Sequence, residues 1–379
     1  MSDRTPSRLQ AVNTPALVLD RERLHSNLDA MASRAADRGV SLRPHMKTAK
    51  SAAIGQQALD RGAKGITVST LHEAEYFFSH GFEDITYAVS IVPDRFLQAS
   101  SLARRGLDLK IITDNPSVTQ DLAHFMSREN SPLTLLVEID SGEHRTGVDP
   151  QGDDLVKIAR LVDQCPSLRF GGLLTHAGHS YKCSDPSEIV TTAEDERRIA
   201  VESARRLTQE NIACSEISIG STPTCTNAQS AKGVTEWRPG VYMFGDLAQV
   251  ALTSCTLDDI ALSVLTTILA VRPEEGRLII DGGGLAMSKD MGKDVGYGLV
   301  NTLDGTATIP GLHLAEVHQE HGELRSNGQV DFSRFSVGDK LRILPHHACM
   351  TAAMHDRYHV VEGNRPEIVE VWDRANGWG

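Results

Sequence analysis

From Val40 to about residue 250 the chain repeats one rhythm: a short apolar stretch, then a longer helical pattern, often closed by glycine. The strand candidates are 40–47, 65–70, 84–89, 108–114, 133–140, 168–176, 214–220 and 238–244. Eight βα units over about 230 residues fit a (β/α)8 barrel in both number and length. A doubly wound open sheet would carry a GxGxxG turn after its first strand, and the chain has none there. After about residue 260 the helices drop out, leaving strands at 263–271, 276–281, 312–321, 339–344, 357–361 and 367–372. Turn signals such as Gly282-Gly283-Gly284 and Val337-Gly338-Asp339 separate them. The expected fold is therefore α/β: a barrel over residues 21–255, followed by an all-β C-terminal domain of residues 256–379. Residues 1–20 precede the barrel count, and their strand, 14–20, is assigned to the β-domain. Asp20 should cap a helix from about Arg21 to Arg38, which Gly39 ends.

A net charge of −12 disfavours nucleic acid and anionic membrane as partners, since both require basic surface. The first residues contain no apolar leader core, and no run approaches a membrane span. Six scattered cysteines without CxxC pairs read as reduced thiols. These features point to a cytoplasmic protein acting on a small molecule.

In such a barrel the chemistry sits at the C-terminal ends of the strands. If 40–47 is extended, Arg43, His45 and Lys47 share one face. Cationic neighbours and partial burial lower a lysine's pKa, so Lys47 is a candidate nucleophile toward an aldehyde, with His45 beside it. Lys50 is a competitor, expected in the following helix. The strand ending at Glu138 leads into Asp140-Ser141-Gly142-Glu143-His144-Arg145-Thr146-Gly147, where Arg145 could hold a phenolate or carboxylate. His176, His179 and Tyr181 form a dense set of proton carriers after the next strand.

Strand seven runs into Gly220-Ser221-Thr222, where backbone amides and hydroxyls can cradle an anion. Strand eight carries Arg238-Pro239-Gly240 and Tyr242. Barrels often bind phosphate at these two loops. Together with Lys47 they suggest pyridoxal phosphate, which supplies both an aldehyde and a phosphate. In the β-domain, continued extended backbone would turn His347 and Cys349 to the same side, where imidazole and thiolate can bind one metal ion. That donor pair suits zinc, with manganese or magnesium as alternatives.

Assembled, these segments resemble the fold-type III, alanine-racemase-like pyridoxal-phosphate enzymes, in the D-serine dehydratase and D-threonine aldolase branch. Arg43-Pro44-His45-Met46-Lys47-Thr48 is similar to that branch's RPHxKT segment, whose lysine carries the cofactor. The Asp140–Gly147 segment resembles DxGxxRxG, which implies that Arg145 contacts the cofactor's O3′. Arg238-Pro239-Gly240 with Tyr242 resembles the segment near the ring and phosphate. Pro345-His346-His347-Ala348-Cys349 is similar to the PNHxC metal segment, with His346 in place of Asn. The resemblance also implies a homodimer.

The first expectation is a lyase that dehydrates a D-3-hydroxy amino acid, such as D-serine or D-3-hydroxyaspartate, to a 2-oxo acid and ammonia. In that reaction Lys47 takes the Cα proton, the metal helps the β-hydroxyl leave, and His179, Tyr181 and Arg145 support the ring. The alternative is a D-threonine-type aldolase, whose relatives tend to carry Asp where Cys349 stands. A third reading is a non-catalytic pyridoxal-phosphate carrier, which the extra β-domain with its metal pair argues against.

Overall fold

The computed structural model describes residues 7–129, 131–326, 328, 330–363 and 365–378. The outermost residues of the expected β-domain, 1–6 and 379, lie outside them, as do positions 130, 327, 329 and 364. The chain forms two compact units: one holds Ala30–Lys47 and Ile54–Gly240, the other runs to Asp29 and adds Thr48–Ala53 and Val241–Asn376. Residues 21–29, 48–53 and 241–255, expected in the barrel domain, thus group with the β-unit.

The first strand, β1 (Ala16–Asp20), belongs to the β-unit. Asp20 Oδ1 accepts from the amides of Glu22 and Arg23 at 3.0 and 3.2 Å, capping the helix Arg21–Asp37. Eight parallel strands then build the other unit: β2 (Ser41–Leu42), β3 (Ile66–Val68), β4 (Asp84–Ser90), β5 (Asp108–Thr113), β6 (Leu133–Glu138), β7 (Leu168–Leu174), β8 (Glu216–Ile219) and β9 (Glu236–Trp237). They pair in sequence from β3 to β9, and β9 pairs with β2. A bridge between His45 and Thr67 closes the ring, supported by the Met46 amide donating to Thr67 O at 2.8 Å.

Two strands are shorter than expected. Within 40–47 the regular strand is only Ser41–Leu42, although the amides of Arg43 and His45 still donate to Trp237 O and Pro239 O at 2.9 Å; Met46 and Lys47 lie in a turn. In place of the strand expected over 238–244, the strand is Glu236–Trp237 and Val241–Met243 is a 3₁₀ turn. Lys50 is not helical; it sits at φ 47° before the helix Ala52–Leu59.

Buried ion pairs tie both neighbouring and more distant strands together inside this barrel. Arg43, fully buried, binds Asp84 of β4 and Glu236 of β9, while Lys110 of β5 donates to Glu216 of β8 at 2.6 Å. Apolar packing continues in clusters such as Ile112, Leu136 and Leu174.

In the β-unit, β10 (Leu262–Arg272), β11 (Arg277–Ile280), β12 (Gly298–Asn301), β13 (Thr308–Val317), β14 (Gly322–Ser326) and β15 (Lys340–Pro345) pair antiparallel in a closed ring. β1 joins β10 on one side and β16 (Arg357–Val361) on the other, and β17 (Ile368–Asp373) follows β16. The sequence pattern missed β12 and β14. It also merged β13 with the turn that follows, where Gln319-Glu320 leads into β14. Leu9, Val12, Ala16, Val18, Leu265 and Val361 pack together where the N-terminal segment joins this sheet.

Candidate functional site

In the barrel unit Lys47 is exposed at the C-terminal end of the strands, in the turn that follows His45. Its amide faces His45 Nδ1 at 3.4 Å. Burial pushes His45 well below the usual histidine range, and Lys47, Arg238 and His176 push it the same way. His176 is lowered to about 3 by burial, then by Lys47 and Arg238. Both rings are therefore neutral at pH 7. His176 Nδ1 lies 3.3 Å from Gly220 O, which only accepts, so that nitrogen carries the ring hydrogen.

Arg43 does not join Lys47. Its guanidinium is spent on Asp84 (Nη1–Oδ1 2.7 Å) and Glu236 (Nε–Oε2 2.8 Å), and it holds the barrel together instead. Burial disfavours the charge on both carboxylates, but Arg43 outweighs it and holds them below the usual range. Arg238 is also buried, and at the strand ends it donates to Ser218 Oγ at 2.6 Å and to Thr175 O at 2.5 Å. Ser218 in turn donates to Glu236 at 2.6 Å.

The loop after β8 differs in detail from a simple amide cradle. The Gly220 amide donates to Glu196 Oε1 at 3.0 Å and the Ser221 amide to Thr224 Oγ1 at 2.9 Å. What the loop offers is a buried group of hydroxyls: Ser221 Oγ lies 2.9 Å from Ser180 Oγ and 3.1 Å from Thr224 Oγ1, with Thr222 buried beside them in sequence. Glu196 binds both the Gly220 and Ala177 amides, clamping the loops after β7 and β8, and burial raises its pKa. No motif flagged it, because it lies mid-helix in Pro186–Gln209.

His179 packs against Gly142, where a Cβ would lie 3.3 Å from the ring; Gly142 also has φ +119°. The His179 Nδ1 atom is buried without a hydrogen-bond partner among the described residues. Tyr181 is 41% exposed, with its ring 6.3 Å from that of His176. Arg145 is exposed, 3.5 Å from Glu143. Gly240 is buried after Pro239, whose carbonyl accepts the His45 amide at 2.9 Å. Tyr242 is buried in the 3₁₀ turn of the β-unit.

Within the β-unit, His347 and Cys349 are neighbours, though not through extended backbone. β15 ends at Pro345, His347 precedes the helix Ala348–Ala352, and Cys349 lies in its first turn. Burial alone would lower the His347 pKa; hydrogen bonding and charge from Cys349, with Asp246 and Asp290, raise it to about 9. Asp290 Oδ2 lies 2.5 Å from His347 Nδ1, and Thr48 Oγ1 lies 3.1 Å from Cys349 Sγ. Asp246 accepts from the amides of Gln249 and Ala348, both at 2.8 Å, tying down the segment. Asp246, Asp290 and Thr48 are far from the motif in sequence, so spacing alone could not reveal them.

The residues fit both implied groups. The imidazole of His347 and the thiol of Cys349 form a donor pair for a soft divalent cation. An accessible lysine, neutral imidazoles, a buried arginine and a group of buried hydroxyls suit an aldehyde-bearing phosphate ester.

Residues 19–248 match the alanine racemase N-terminal domain, and residues 261–361 match a putative serine dehydratase domain. The chain is 41% identical to the D-threo-3-hydroxyaspartate dehydratase of Delftia sp. strain HT23, covering 98% of this chain and 99% of that one. The solved structure of that enzyme superposes with a TM-score of 0.94 at 40% identity, covering 98% of this chain and 100% of that one; a variant of it is known in a metal-free form. The D-serine dehydratase of Dictyostelium discoideum is 34% identical over 97% of this chain and 98% of its own. A D-threonine aldolase of Arthrobacter sp. is 29% identical over 96% and 93%. The chain belongs to the fold-type III, alanine-racemase-like family, in the branch that joins a racemase-type barrel to a serine dehydratase domain.

Proposed function

We propose that this protein is a pyridoxal-phosphate- and zinc-dependent dehydratase of D-3-hydroxy amino acids, with D-3-hydroxyaspartate and D-serine as the leading substrates. The observation that carries the reading is the contact between Cys349 and His347, a soft donor pair in the dehydratase domain. A carrier has no use for it. The net reaction exchanges the amino group and β-hydroxyl for a 2-oxo group: water leaves across Cα–Cβ, and a second water releases ammonia.

Pyridoxal phosphate, when bound, supplies the electron sink that makes the Cα–H bond acidic. Lys47 Nζ is the attachment point and, once free, the base that accepts the Cα proton. His45 and His176 stay uncharged beside it and hold hydrogen bonds without adding positive charge. Arg238 and Gly240 would lie at the ring end, and Ser221 and Thr222, with Gly220 shaping the turn, would receive the phosphate; Tyr242 is carried by the resemblance alone. Arg145, Tyr181 and His179 orient the substrate and ring. His347 and Cys349 would hold the metal, which would supply positive charge that favours departure of the β-hydroxyl. The homodimer implied by the resemblance and a cytoplasmic setting belong to the same proposal.

Borohydride reduction of the loaded enzyme followed by peptide mapping tests the attachment. A pyridoxyl group on the peptide containing Lys47 supports the reading; its appearance on Lys50 instead would overturn it.

A further inference from the structure

We infer that Asp290 and Thr48 are positioning residues of the metal site, one for each protein ligand; the inference rests on the metal reading above and deepens it. His347 Nδ1 lies 2.5 Å from Asp290 Oδ2. A neutral imidazole that gives one nitrogen to a metal must carry its hydrogen on the other. The Asp290 contact therefore assigns the hydrogen to Nδ1 and leaves Nε2 as the ligand atom, with the carboxylate fixing the ring's rotation and raising its basicity.

Cys349 is served in the same way. Its Sγ lies 3.1 Å from Thr48 Oγ1, and Thr48 is fully buried. A metal-bound cysteine is a thiolate with no hydrogen to give, so Thr48 must then be the donor. That hydrogen bond draws charge from the sulfur and holds it in one rotamer. Thr48 is also the residue after Lys47 in the chain. The threonine of the lysine segment thus serves the metal site.

The test compares the wild-type holoenzyme with Asp290→Asn, Asp290→Ala, Thr48→Val and Thr48→Ser, using His347→Ala and Cys349→Ala as references. Zinc affinity is read by competition with a chelator, and the sulfur environment by the thiolate charge-transfer band after cobalt substitution. Asp290→Asn and Thr48→Val should each weaken zinc binding about 10–100-fold. Thr48→Val should shift the charge-transfer band to lower energy, and Thr48→Ser should restore both affinity and band. Asp290 is 44% exposed, so its replacement removes no core packing.

If Asp290→Asn and Thr48→Val bind zinc as wild type does while the two reference variants lose it, this inference fails and the metal reading stands. If the reference variants keep their zinc, both fail. Loss in Asp290→Ala as complete as in Cys349→Ala would make Asp290 a ligand and overturn its positioning role.

Discussion

Arg43 and Glu236 meet inside the barrel with the guanidinium Nε donating to Oε2 at 2.8 Å, and their side chains are 0% and 2% exposed. The arginine of the lysine segment is thus a structural cross-link, extended by Asp84 on one side and by Ser218 and Arg238 on the other. Its role is to fix the end of β2, from which the Lys47 turn departs.

Removing that guanidinium leaves two carboxylates without their partner. Arg43→Met should cost about 3–5 kcal/mol at pH 7, read as a lowered urea midpoint. The folded pKa values of Asp84 and Glu236 lie below their unfolded values. Their stabilisation is therefore present above about pH 4 and lost as pH falls through the depressed values. The gap between wild type and variant should narrow below about pH 4.

His176 gives a second pH signature. Its folded pKa, about 3, lies below the unfolded value. The unfolded chain therefore binds more protons as pH falls below about 6.5, and stability drops by up to about 1.4 kcal/mol per pH unit. His176→Asn should flatten the slope between about pH 6.5 and 5, as measured by urea unfolding at several pH values. An unchanged slope would mean that His176 is charged in the folded protein.

Lys47→Ala should remove covalent attachment of the cofactor and lower turnover by at least about 10³-fold, the scale on which losing a nucleophile or its base acts. Because Lys47 is exposed in a turn, the melting temperature of the apoprotein should hardly change. Absorbance of the bound cofactor and calorimetry check the two halves separately.

Much of this site was legible in the sequence, for physical reasons that differ by residue. Lys47, Arg238 and the Gly220–Thr222 loop follow barrel strands, where the fold itself says to look. The His347–Cys349 pair was found by spacing, although the extended backbone assumed for it is a helix start. Arg43, His45 and Lys47, expected on one face, differ in what they do: Arg43 is tied to Asp84 and Glu236, and Lys47 lies in a turn beside His45. Glu196, Asp246 and Asp290 carry no local signal; they act across long stretches of chain. Lys110 in Asp108–Thr113 and Glu216 with Ser218 in Glu216–Ile219 did carry one, a polar residue facing inward on an otherwise apolar strand.

Cys349 discriminates between dehydration and aldol cleavage if the softness of the donor matters. Cys349→Asp should weaken zinc binding and reduce 2-oxo acid formation, with manganese restoring more activity to the variant than to wild type. Product analysis with each metal checks this.

The most direct measurement is product identity when the enzyme, loaded with pyridoxal phosphate and zinc, is incubated with D-threo-3-hydroxyaspartate. The account predicts oxaloacetate and ammonia in equal amounts, with loss of both when zinc is chelated. Glycine and glyoxylate in their place would show that Cα–Cβ breaks instead, and would contradict it.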